Sequence, residues 1–326
     1  MSRCGSRTSC ASPRSWGRPV VEVRAKRASK PVTVRAPAKI NLHLGVGAPQ
    51  PDGFHPLMTV YHAVDLYDEV TVAPAAEWSV RVEPVGEVDV AEVPTDDTNL
   101  VVRAGRALAE HHRVERAARI HIRKGIWVAG GLAGGSADAA ATLVALDRLW
   151  DLRSGDRVLF DLAAALGSDV PFGLVGRNAL GTGHGEQVEQ LPGVEVPRHW
   201  VVVPGEEGLS TPAVYRRFDE LTPDAPEQPR APYRLVEFLG DPVGEVAPLL
   251  HNDLQPAALD LRPELRDLLA AGEAAGALRG LVSGSGPTCV FLCDSDASAQ
   301  TVAARLRSSY AVVLTATGPV AGALGR

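Results

Sequence analysis

The sequence predicts an α+β fold with two domains, and three observations support this prediction. The chain has 326 residues, which is enough for two domains of ordinary size. Its hydrophobic content of 45% supports a substantial core. Strand-like runs come in groups with helices between them, which favours α+β over the regular strand–helix alternation of a doubly wound sheet.

The first part of the chain is predicted to be mainly strands. β-branched residues and apolar–polar alternation predict strands at Val32–Ala36, Leu42–Val46, Leu57–Leu66, Glu69–Val72 and Ser79–Val82. A helical pattern then runs from Asn99 to about His111, with Thr98 as its expected N-cap. A strand at Ala118–Arg123 leads into a run of glycines. Apolar periodicity predicts the next two helices, at Ser136–Trp150 and from about Asp156 to Leu166.

The second part of the chain mixes short strands and helices. Five glycines indicate turns in a short β region: Gly173, Gly176, Gly181, Gly183 and Gly185. The Pro-rich stretch Thr222–Pro232 predicts a surface loop. The remaining helices are expected near Thr211–Phe218, Tyr233–Leu239, Pro263–Ala275 and Ala297–Arg307. The remaining strands are expected at Leu278–Val282, Thr288–Cys293 and Ala311–Ala316.

A basic segment precedes the predicted domains. Residues 1–30 are rich in Arg and Ser, contain Glu22 as their single acid, and lack apolar periodicity. Such a start is typical of an organelle transit peptide, but no amphipathic helix is evident. We therefore expect a disordered extension, or an upstream start codon, in preference to a targeting signal.

Composition argues against several classes of partner. No window reaches about 18 uninterrupted apolar residues, so no membrane span is expected. A net charge of −6 argues against nucleic-acid binding by bulk electrostatics. The cysteines at 4, 10, 289 and 293 form neither a disulfide framework nor a zinc spacing. We expect an enzyme of the reducing cytoplasm, a monomer or weak homodimer, with a small-molecule substrate and with neither nucleic acid nor membrane as partner.

The glycine-rich segment between the Ala118–Arg123 strand and the next helix predicts a phosphate site. Glycines let backbone N–H groups approach a ligand closely, and the following helix points its positive end into the same space. Ser136 at the helix start adds a hydroxyl for a phosphate or Mg²⁺. The segment lacks the Gly-Lys-Ser/Thr of a P-loop and the spacing of the dinucleotide motif. A tight turn that serves only helix packing remains the alternative.

Two further motifs make the pattern specific. Residues 36–45 contain Pro-Ala-Lys-Ile-Asn-Leu, and residues 283–288 read Ser-Gly-Ser-Gly-Pro-Thr. With the glycine segment between them, their order resembles the three motifs of the GHMP kinase superfamily over roughly residues 31–318. The resemblance implies a nucleotide-binding domain at 31–192, similar to domain 2 of ribosomal protein S5, and a ferredoxin-like domain at 193–319.

Three shorter motifs narrow the resemblance. Asp52–Leu57, Gly167–Phe172 and Asn252–Leu254 are similar to segments of those GHMP kinases that phosphorylate the 2-hydroxyl of a cytidine diphosphate sugar alcohol in the non-mevalonate isoprenoid pathway. Another small-molecule kinase of the homoserine or mevalonate type remains an alternative. So does a non-catalytic nucleotide-binding paralogue, although the presence of both Lys39 and Asp169 argues against it.

The resemblance implies ATP and Mg²⁺ as cofactors. It assigns ATP to a run of nine residues: Val128, Ala129, Gly130, Gly131, Leu132, Ala133, Gly134, Gly135 and Ser136. No protein ligand of the metal can be assigned, so the ion is expected to be held mainly by phosphates and water. The chain departs from the family pattern at Trp127, where Pro is usual, and at Ala133, where Gly is common. These departures put the affinity for ATP in doubt.

Two residues are the candidates for catalysis by resemblance. The Asp at the position of Asp169 takes the proton of the substrate hydroxyl in similar enzymes. The Lys at the position of Lys39 pairs with it and favours its ionised form. A solvated lysine and an Asx-turn aspartate are the structural alternatives. Lysine is scarce here, at four among 33 basic residues, which favours a specific role for Lys39.

Five residues are candidates for binding the acceptor. Asn41 lies two positions after Lys39 on the same strand face, where it could bind the polyol or hold a neighbouring loop. By resemblance, His55 reads the cytosine, while Phe54 and Tyr215 stack on the base. Thr211 is expected to contact the same substrate. Without the resemblance, a loop histidine and a core tyrosine would be the simpler interpretations.

Overall fold

We describe a computed structural model of the chain, and it covers residues 30–128, 130–192, 195–205 and 208–325. The basic segment expected at residues 1–30 therefore lies outside the described residues, apart from Lys30. Within the described residues, none of the helices combines the length and apolarity that a membrane crossing requires.

Strands from both halves of the chain build the larger of two sheets. Its strands are β1 (Val32–Val46), β2 (Leu57–Ala75), β3 (Ser79–Pro84), β4 (Ala117–Lys124), β5 (Asn178–Thr182), β6 (Gln187–Gln190) and β8 (His251–Asn252). The central order is β3-β4-β2-β1-β8, and β5 pairs with β2 and β6. The β3–β4 and β1–β8 pairs are parallel, and the others are antiparallel.

A smaller antiparallel sheet has the order β11-β7-β10-β9. Its strands are β7 (Arg198–Val203), β9 (Arg279–Val282), β10 (Cys289–Cys293) and β11 (Leu314–Gly318). The helices are α1 (Leu100–His111), α2 (Gly134–Trp150), α3 (Asp156–Leu166), α4 (Val170–Val175), α5 (Thr211–Leu221), α6 (Tyr233–Phe238), α7 (Val243–Val246), α8 (Gln255–Leu261), α9 (Glu264–Ala274) and α10 (Asp296–Leu306). This mixed content confirms the predicted α+β class.

Helix α2 is the central element of the larger core. Most of its side chains are buried, including the run Ala139–Ala141, and it packs against β1 and β2. Small side chains let the helix approach the sheet and α4 closely. A Cβ on Gly173 of α4 would lie 2.8 Å from the Ala140 Cβ. The smaller sheet is covered by α9 and α10.

Several predicted boundaries are wrong, and each has a local cause. Two pairs of predicted strands are continuous as β1 and β2. In β1 the Pro-Ala-Lys-Ile-Asn-Leu motif forms the middle of the strand, and a bulge after Pro37 accommodates the missing N–H. Thr98 is not the N-cap of α1. That position is Asn99, whose side chain accepts a hydrogen bond from the Val101 N–H.

The region of five glycines is not wholly β. Residues 170–175 form α4, with Pro171 in its first turn, and Gly176 ends it at a φ of +66°. The prediction interpreted glycine as a turn signal, whereas Gly173 serves helix packing. The predicted short β region begins only at Asn178. The sequence prediction also missed β7, α7, α8 and β8.

The chain returns to the larger sheet after completing the smaller one. Residues 320–324 exchange backbone hydrogen bonds with Ala63, Arg177 and residues 173–175. The Trp200 indole N–H of β7 donates to His62 Nε2 of β2 at 3.2 Å. The two sheets are therefore joined by direct contacts as well as by the chain.

Candidate active site

A cleft of about 690 Å³ lies where β1 and β2 meet α5 and the turn at Gly284–Ser285. The glycine-rich run at residues 128–136 is called the phosphate segment here. Four of its glycines line one part of the cleft: Gly130, Gly131, Gly134 and Gly135. Aromatic side chains line another part: Phe54, Tyr61 and Tyr215. Lys39 and Asp169 also line the cleft. The motifs identified in the sequence therefore converge on one cavity.

Lys39 and Asp169 form an ion pair in the cleft. The Lys39 Nζ lies 3.7 Å from Asp169 Oδ2. Lys39 is buried within β1, whereas Asp169 stands just before α4 with about a third of its side chain exposed. Strand β1 and the α4 segment are far apart in sequence, so the fold alone makes this pair. The pair therefore places a buried cation beside a carboxylate that a substrate can reach.

Asn41 holds Lys39 in place. Its Oδ1 accepts a hydrogen bond from the Lys39 Nζ at 2.8 Å, and its Nδ2 donates to Thr59 Oγ1 at 2.8 Å. The Thr59 hydroxyl in turn donates to the His43 carbonyl. The amide is buried, and its partners lie in strands β1 and β2 and not in a neighbouring loop. The side chain still lines the cleft beside the ion pair.

The sequence prediction missed Tyr61, which lies beneath the ion pair. Its ring is stacked on Phe172 and lies 6.0 Å from the Lys39 Nζ. Burial, followed by the charge and hydrogen bonding of Asp169, raises the pKa of Tyr61 well above its ordinary value. The phenol therefore stays protonated, and its O–H donates to the Gly185 carbonyl at 3.3 Å. A tyrosine in an alternating strand looks like a core residue in sequence, and no signal distinguished it.

Backbone and hydroxyl contacts join the three motifs. The Lys39 N–H donates to the Leu132 carbonyl at 3.1 Å. The Ser283 and Thr288 hydroxyls donate to the carbonyls of Gly131 and Gly130 at 3.0 and 2.8 Å. The third motif therefore supports the phosphate segment.

The glycines of the phosphate segment serve two different purposes. A Cβ on Gly130 would lie 2.2 Å from the Gly286 carbonyl oxygen, so this glycine is required by the protein itself. A Cβ on Gly135, by contrast, would meet nothing within 4 Å and would project into open space. Gly135 is exposed in the first turn of α2 and lines the cleft. Open space at the N-terminus of a helix matches a phosphate group.

A buried charge cluster fixes the two ends of the phosphate segment. The Lys124 Nζ, at the end of β4, donates to Asp68 Oδ2 at 2.5 Å and to Asp138 Oδ2 of α2 at 2.8 Å. Asp68 also accepts the N–H groups of Gly125 and Ile126. Burial lowers the pKa of Lys124, but the charges of Asp138 and Asp68 outweigh burial and raise it. Burial raises the pKa of Asp138 well above its ordinary value, against the opposing charge of Lys124.

Aromatic rings and the hydrogen-bonded pair of His55 and Asp219 form the other end of the cleft. His55 is buried, and its Nε2 lies 2.7 Å from Asp219 Oδ1 of α5. Its ring lies 4.9 Å from that of Tyr215. Phe54 is 61% exposed and is stacked on His184. An exposed aromatic ring above a lined cavity is suited to a planar ligand.

Helix α5 presents one side to this cleft. Its cleft-lining residues are Thr211, Pro212, Tyr215, Arg216 and Asp219. The Thr211 hydroxyl lies 2.9 Å from that of Ser285, so the helix begins at the third glycine motif. Burial, and then the charge of Asp169, raises the pKa of Tyr215. The sequence prediction missed Arg216 and Asp219, because a helix with few apolar residues does not indicate which side faces a ligand. It also missed His184, which lies in the turn between β5 and β6.

Some members of the predicted ATP site do not line the cleft. Leu132 is fully buried, and its carbonyl is the one that accepts the Lys39 N–H. Val128 is exposed, and neither it nor Ser136 belongs to the residues that line the cleft. Ala129 lies outside the described residues. Within the described part of the chain, no three His, Cys, Asp or Glu side chains are grouped as a metal ion would require.

Comparison with known proteins places these features in a family. The model of the GHMP kinase N-terminal domain matches residues 99–177, and that of the GHMP kinase C-terminal region matches residues 236–312. A crystal structure of a 4-(cytidine 5'-diphospho)-2C-methyl-D-erythritol kinase superposes with a TM-score of 0.71 at 32% identity, covering 87% of this chain and 98% of that one. The homoserine kinase of Cytophaga hutchinsonii, at 20% identity and a TM-score of 0.68, shares the fold.

Sequence relatives narrow the assignment. The 4-diphosphocytidyl-2-C-methyl-D-erythritol kinase of Nocardioides sp. is 59% identical over 293 residues, which cover 89% of this chain and 98% of the relative. The enzyme of the same name from Thermobifida fusca is 51% identical over 300 residues. The chain therefore belongs to the GHMP kinases and, within them, to the 4-diphosphocytidyl-2-C-methyl-D-erythritol kinase family.

Proposed function

We propose that the chain transfers the γ-phosphoryl group of ATP to the 2-hydroxyl of 4-diphosphocytidyl-2-C-methyl-D-erythritol, as a step in isoprenoid precursor synthesis. The observation that supports this most directly is the position of the Lys39–Asp169 pair. It lies in a cleft lined by phosphate-segment glycines and by the aromatic rings around His55. A phosphoryl donor bound at the glycines and a phosphoryl acceptor bound at the aromatic rings would meet at the ion pair.

Asp169 is the proposed general base. Its carboxylate takes the proton of the acceptor hydroxyl, whose oxygen forms the new bond to the γ-phosphorus while the bond from that phosphorus to the bridging oxygen breaks and ADP leaves. Lys39 orients the carboxylate and offsets negative charge that gathers at the transferring group. Asn41 fixes the ammonium group, and the Tyr61 ring packs beside it. All four residues are supplied by elements of the larger sheet or by the segment before α4.

The phosphate segment is the proposed site of ATP. The fit is supported by the open space above Gly135 and by the free N–H groups of the first turn of α2. Bound Mg²⁺ would offset the charge of the triphosphate. Since the described residues offer no carboxylate cluster for it, we propose that phosphates, water and the Ser136 hydroxyl hold the ion.

The turn at Phe54–His55, together with Tyr215, is the proposed cytosine pocket. With Nε2 donating to Asp219, His55 presents Nδ1 as an acceptor. An acceptor complements the exocyclic amino group of cytosine and opposes the carbonyl that uracil has at the same place. Phe54 and Tyr215 supply stacking surfaces, and Thr211 lies at the start of the same helix.

The chain divides into two domains in this proposal. We propose that residues 31–192 form the ATP-binding domain and that residues 193–319 form the second domain. We also propose that the protein works in the cytoplasm as a monomer or weak homodimer.

A coupled kinase assay tests the proposed function. Purified protein should phosphorylate 4-diphosphocytidyl-2-C-methyl-D-erythritol with ATP, and Asp169→Asn should lower kcat by about 10²–10⁴-fold, the usual contribution of a positioned base. Methylerythritol 4-phosphate, homoserine and mevalonate serve as control acceptors and should react very poorly. Comparable kcat/KM for one of these controls would contradict the proposed substrate. Near-normal turnover of Asp169→Asn would contradict the proposed base.

A further inference from the structure

We propose that Arg216 binds the diphosphate of the acceptor and thereby selects substrates that carry both phosphates. The inference rests on the proposed function, because it assumes that the acceptor is a cytidine diphosphate compound. It assigns a specificity role to a side chain outside the predicted site. Its support comes from the charges of the cleft and from the order of residues along α5.

The charges of the cleft leave Arg216 without an opposite partner. Among the cleft-lining residues that the structure describes, Lys39 faces Asp169, and Asp219 faces His55. Arg216 is exposed, and no ion pair or hydrogen bond joins its guanidinium to another described residue. The diphosphate of the acceptor carries negative charge and needs a cation that is not already neutralised.

The neighbouring arginine shows what a purely structural role looks like on this helix. The Arg217 Nε lies 2.6 Å from Asp260 Oδ2, and its Nη1 lies 2.6 Å from Glu220 Oε2. Glu220 lies one turn after Arg216, at a spacing that allows an ion pair between them, but Glu220 is paired with Arg217 instead. Arg217 does not line the cleft. The two adjacent arginines thus have opposite surroundings.

The order of residues along α5 matches the order of groups in the acceptor. Thr211, at the first turn, contacts Ser285 beside the phosphate segment, and Asp219, near the last turn, contacts His55. Arg216 lies between these two ends and next to Tyr215. In the acceptor, the diphosphate lies between the cytidine and the sugar alcohol. A cation at Arg216 is therefore in the right place for the phosphates when the base lies near His55.

Guanidinium chemistry fits this task. Its planar array of donors can bind two phosphate oxygens at once, and it stays charged at any working pH. Binding removes water from an exposed arginine and restricts its rotamers. Because of these two costs, the gain in binding free energy per contact is modest. We expect the side chain to contribute about 10-fold in affinity, as one charge-assisted pair does.

Calorimetric titration with cytidine, CMP and CDP tests the inference. Arg216→Ala should weaken the binding of CDP by about 10-fold and leave the binding of cytidine unchanged. The preference of the wild type for CDP over cytidine should therefore shrink. Arg216→Lys should restore part of the loss, because it returns the charge without the planar array. Arg217→Ala combined with Glu220→Gln is the matched control, because it removes Arg217 without freeing Glu220 to pair with Arg216, and it should bind all three ligands like the wild type.

The possible outcomes separate this inference from the proposed function. If the wild type binds none of the three ligands, the cytidine substrate is wrong. If the wild type binds CDP and Arg216→Ala binds it equally well, the role of Arg216 is wrong while the function stands. An equal loss of affinity for cytidine and for CDP would show that the substitution disturbs the base pocket, and it would also overturn the inference. In kinetics, Arg216→Ala should raise KM for the acceptor and leave KM for ATP unchanged; the reverse would assign Arg216 to ATP.

Discussion

At the scale of single residues, the site depends on polar side chains that hold one another. Lys39 is bound by Asn41, Asn41 by Thr59, and the ammonium group faces Asp169. The sequence indicated Lys39 and Asp169 through their motifs. It could not indicate Tyr61, because an aromatic residue in an alternating strand has the same pattern whether it packs in a core or lines a cleft. Contacts between distant segments are what distinguish the two cases.

The ion pair should behave as a unit in kinetics. Lys39→Ala and Asp169→Asn should each lower kcat by about 10²–10⁴-fold. The double variant should lose little more than the worse single variant, because each residue acts through the other. Single-turnover measurements of the four proteins, with circular dichroism to check folding, give the coupling. Fully multiplicative losses would show that the two residues act independently.

At the scale of elements, the phosphate segment is held by structure on both sides. The Asp68–Lys124–Asp138 cluster ties the end of β4 to the start of α2, and the third motif supports the glycine carbonyls. Sequence patterns predicted most elements here, since long apolar periodicities determine them. They failed at α4, where glycine serves packing, and at short elements such as β8, whose two residues carry no periodic signal.

Two glycine substitutions should separate the structural glycines from the ligand-binding one. Gly130→Ala should lower Tm, because its Cβ would meet the Gly286 carbonyl at 2.2 Å. Gly135→Ala should leave Tm equal or slightly higher, since Ala favours a helix over Gly by roughly 0.5–1 kcal/mol. Gly135→Ala should nevertheless raise KM for ATP, because the methyl group would enter the space proposed for a phosphate. Thermal melts and ATP kinetics on both variants check this. Unchanged ATP kinetics in Gly135→Ala would place the phosphates elsewhere.

At the scale of the whole molecule, the two sheets are joined at a buried histidine. His62 accepts the Trp200 N–H at Nε2, so its other ring nitrogen, Nδ1, donates to Asn178 Oδ1 at 2.6 Å. This arrangement requires the neutral imidazole. Burial lowers the pKa of His62 to about 4, partly opposed by the bond to Asn178. The overall class was predictable from the grouping of strands. The contact between the sheets was not, because it joins residues with no common pattern.

The buried imidazole should make stability depend on pH. A histidine with a lowered pKa stabilises the fold above its unfolded pKa near 6.5, and this stability is lost as pH falls toward 4. The contribution is on the order of 3 kcal/mol across that range. Denaturant unfolding from pH 7.5 to 4.5 measures it, with His62→Gln as the comparison, because other titrating groups contribute equally to both proteins. Parallel pH curves would contradict the role of His62.

The late return of the chain to the larger sheet affects how the protein is made. Strand β1, which carries Lys39, leaves the ribosome early, but at His43 and Leu44 it gains its parallel strand partner only when His251 and Asn252 follow. The carbonyls of residues 173–175 in α4 receive backbone N–H groups only from residues 322–324. A nascent chain therefore lacks an assembled centre until synthesis is nearly finished. For the same reason, a split between residues 192 and 195 should give two inactive fragments whose activity returns only when they are combined.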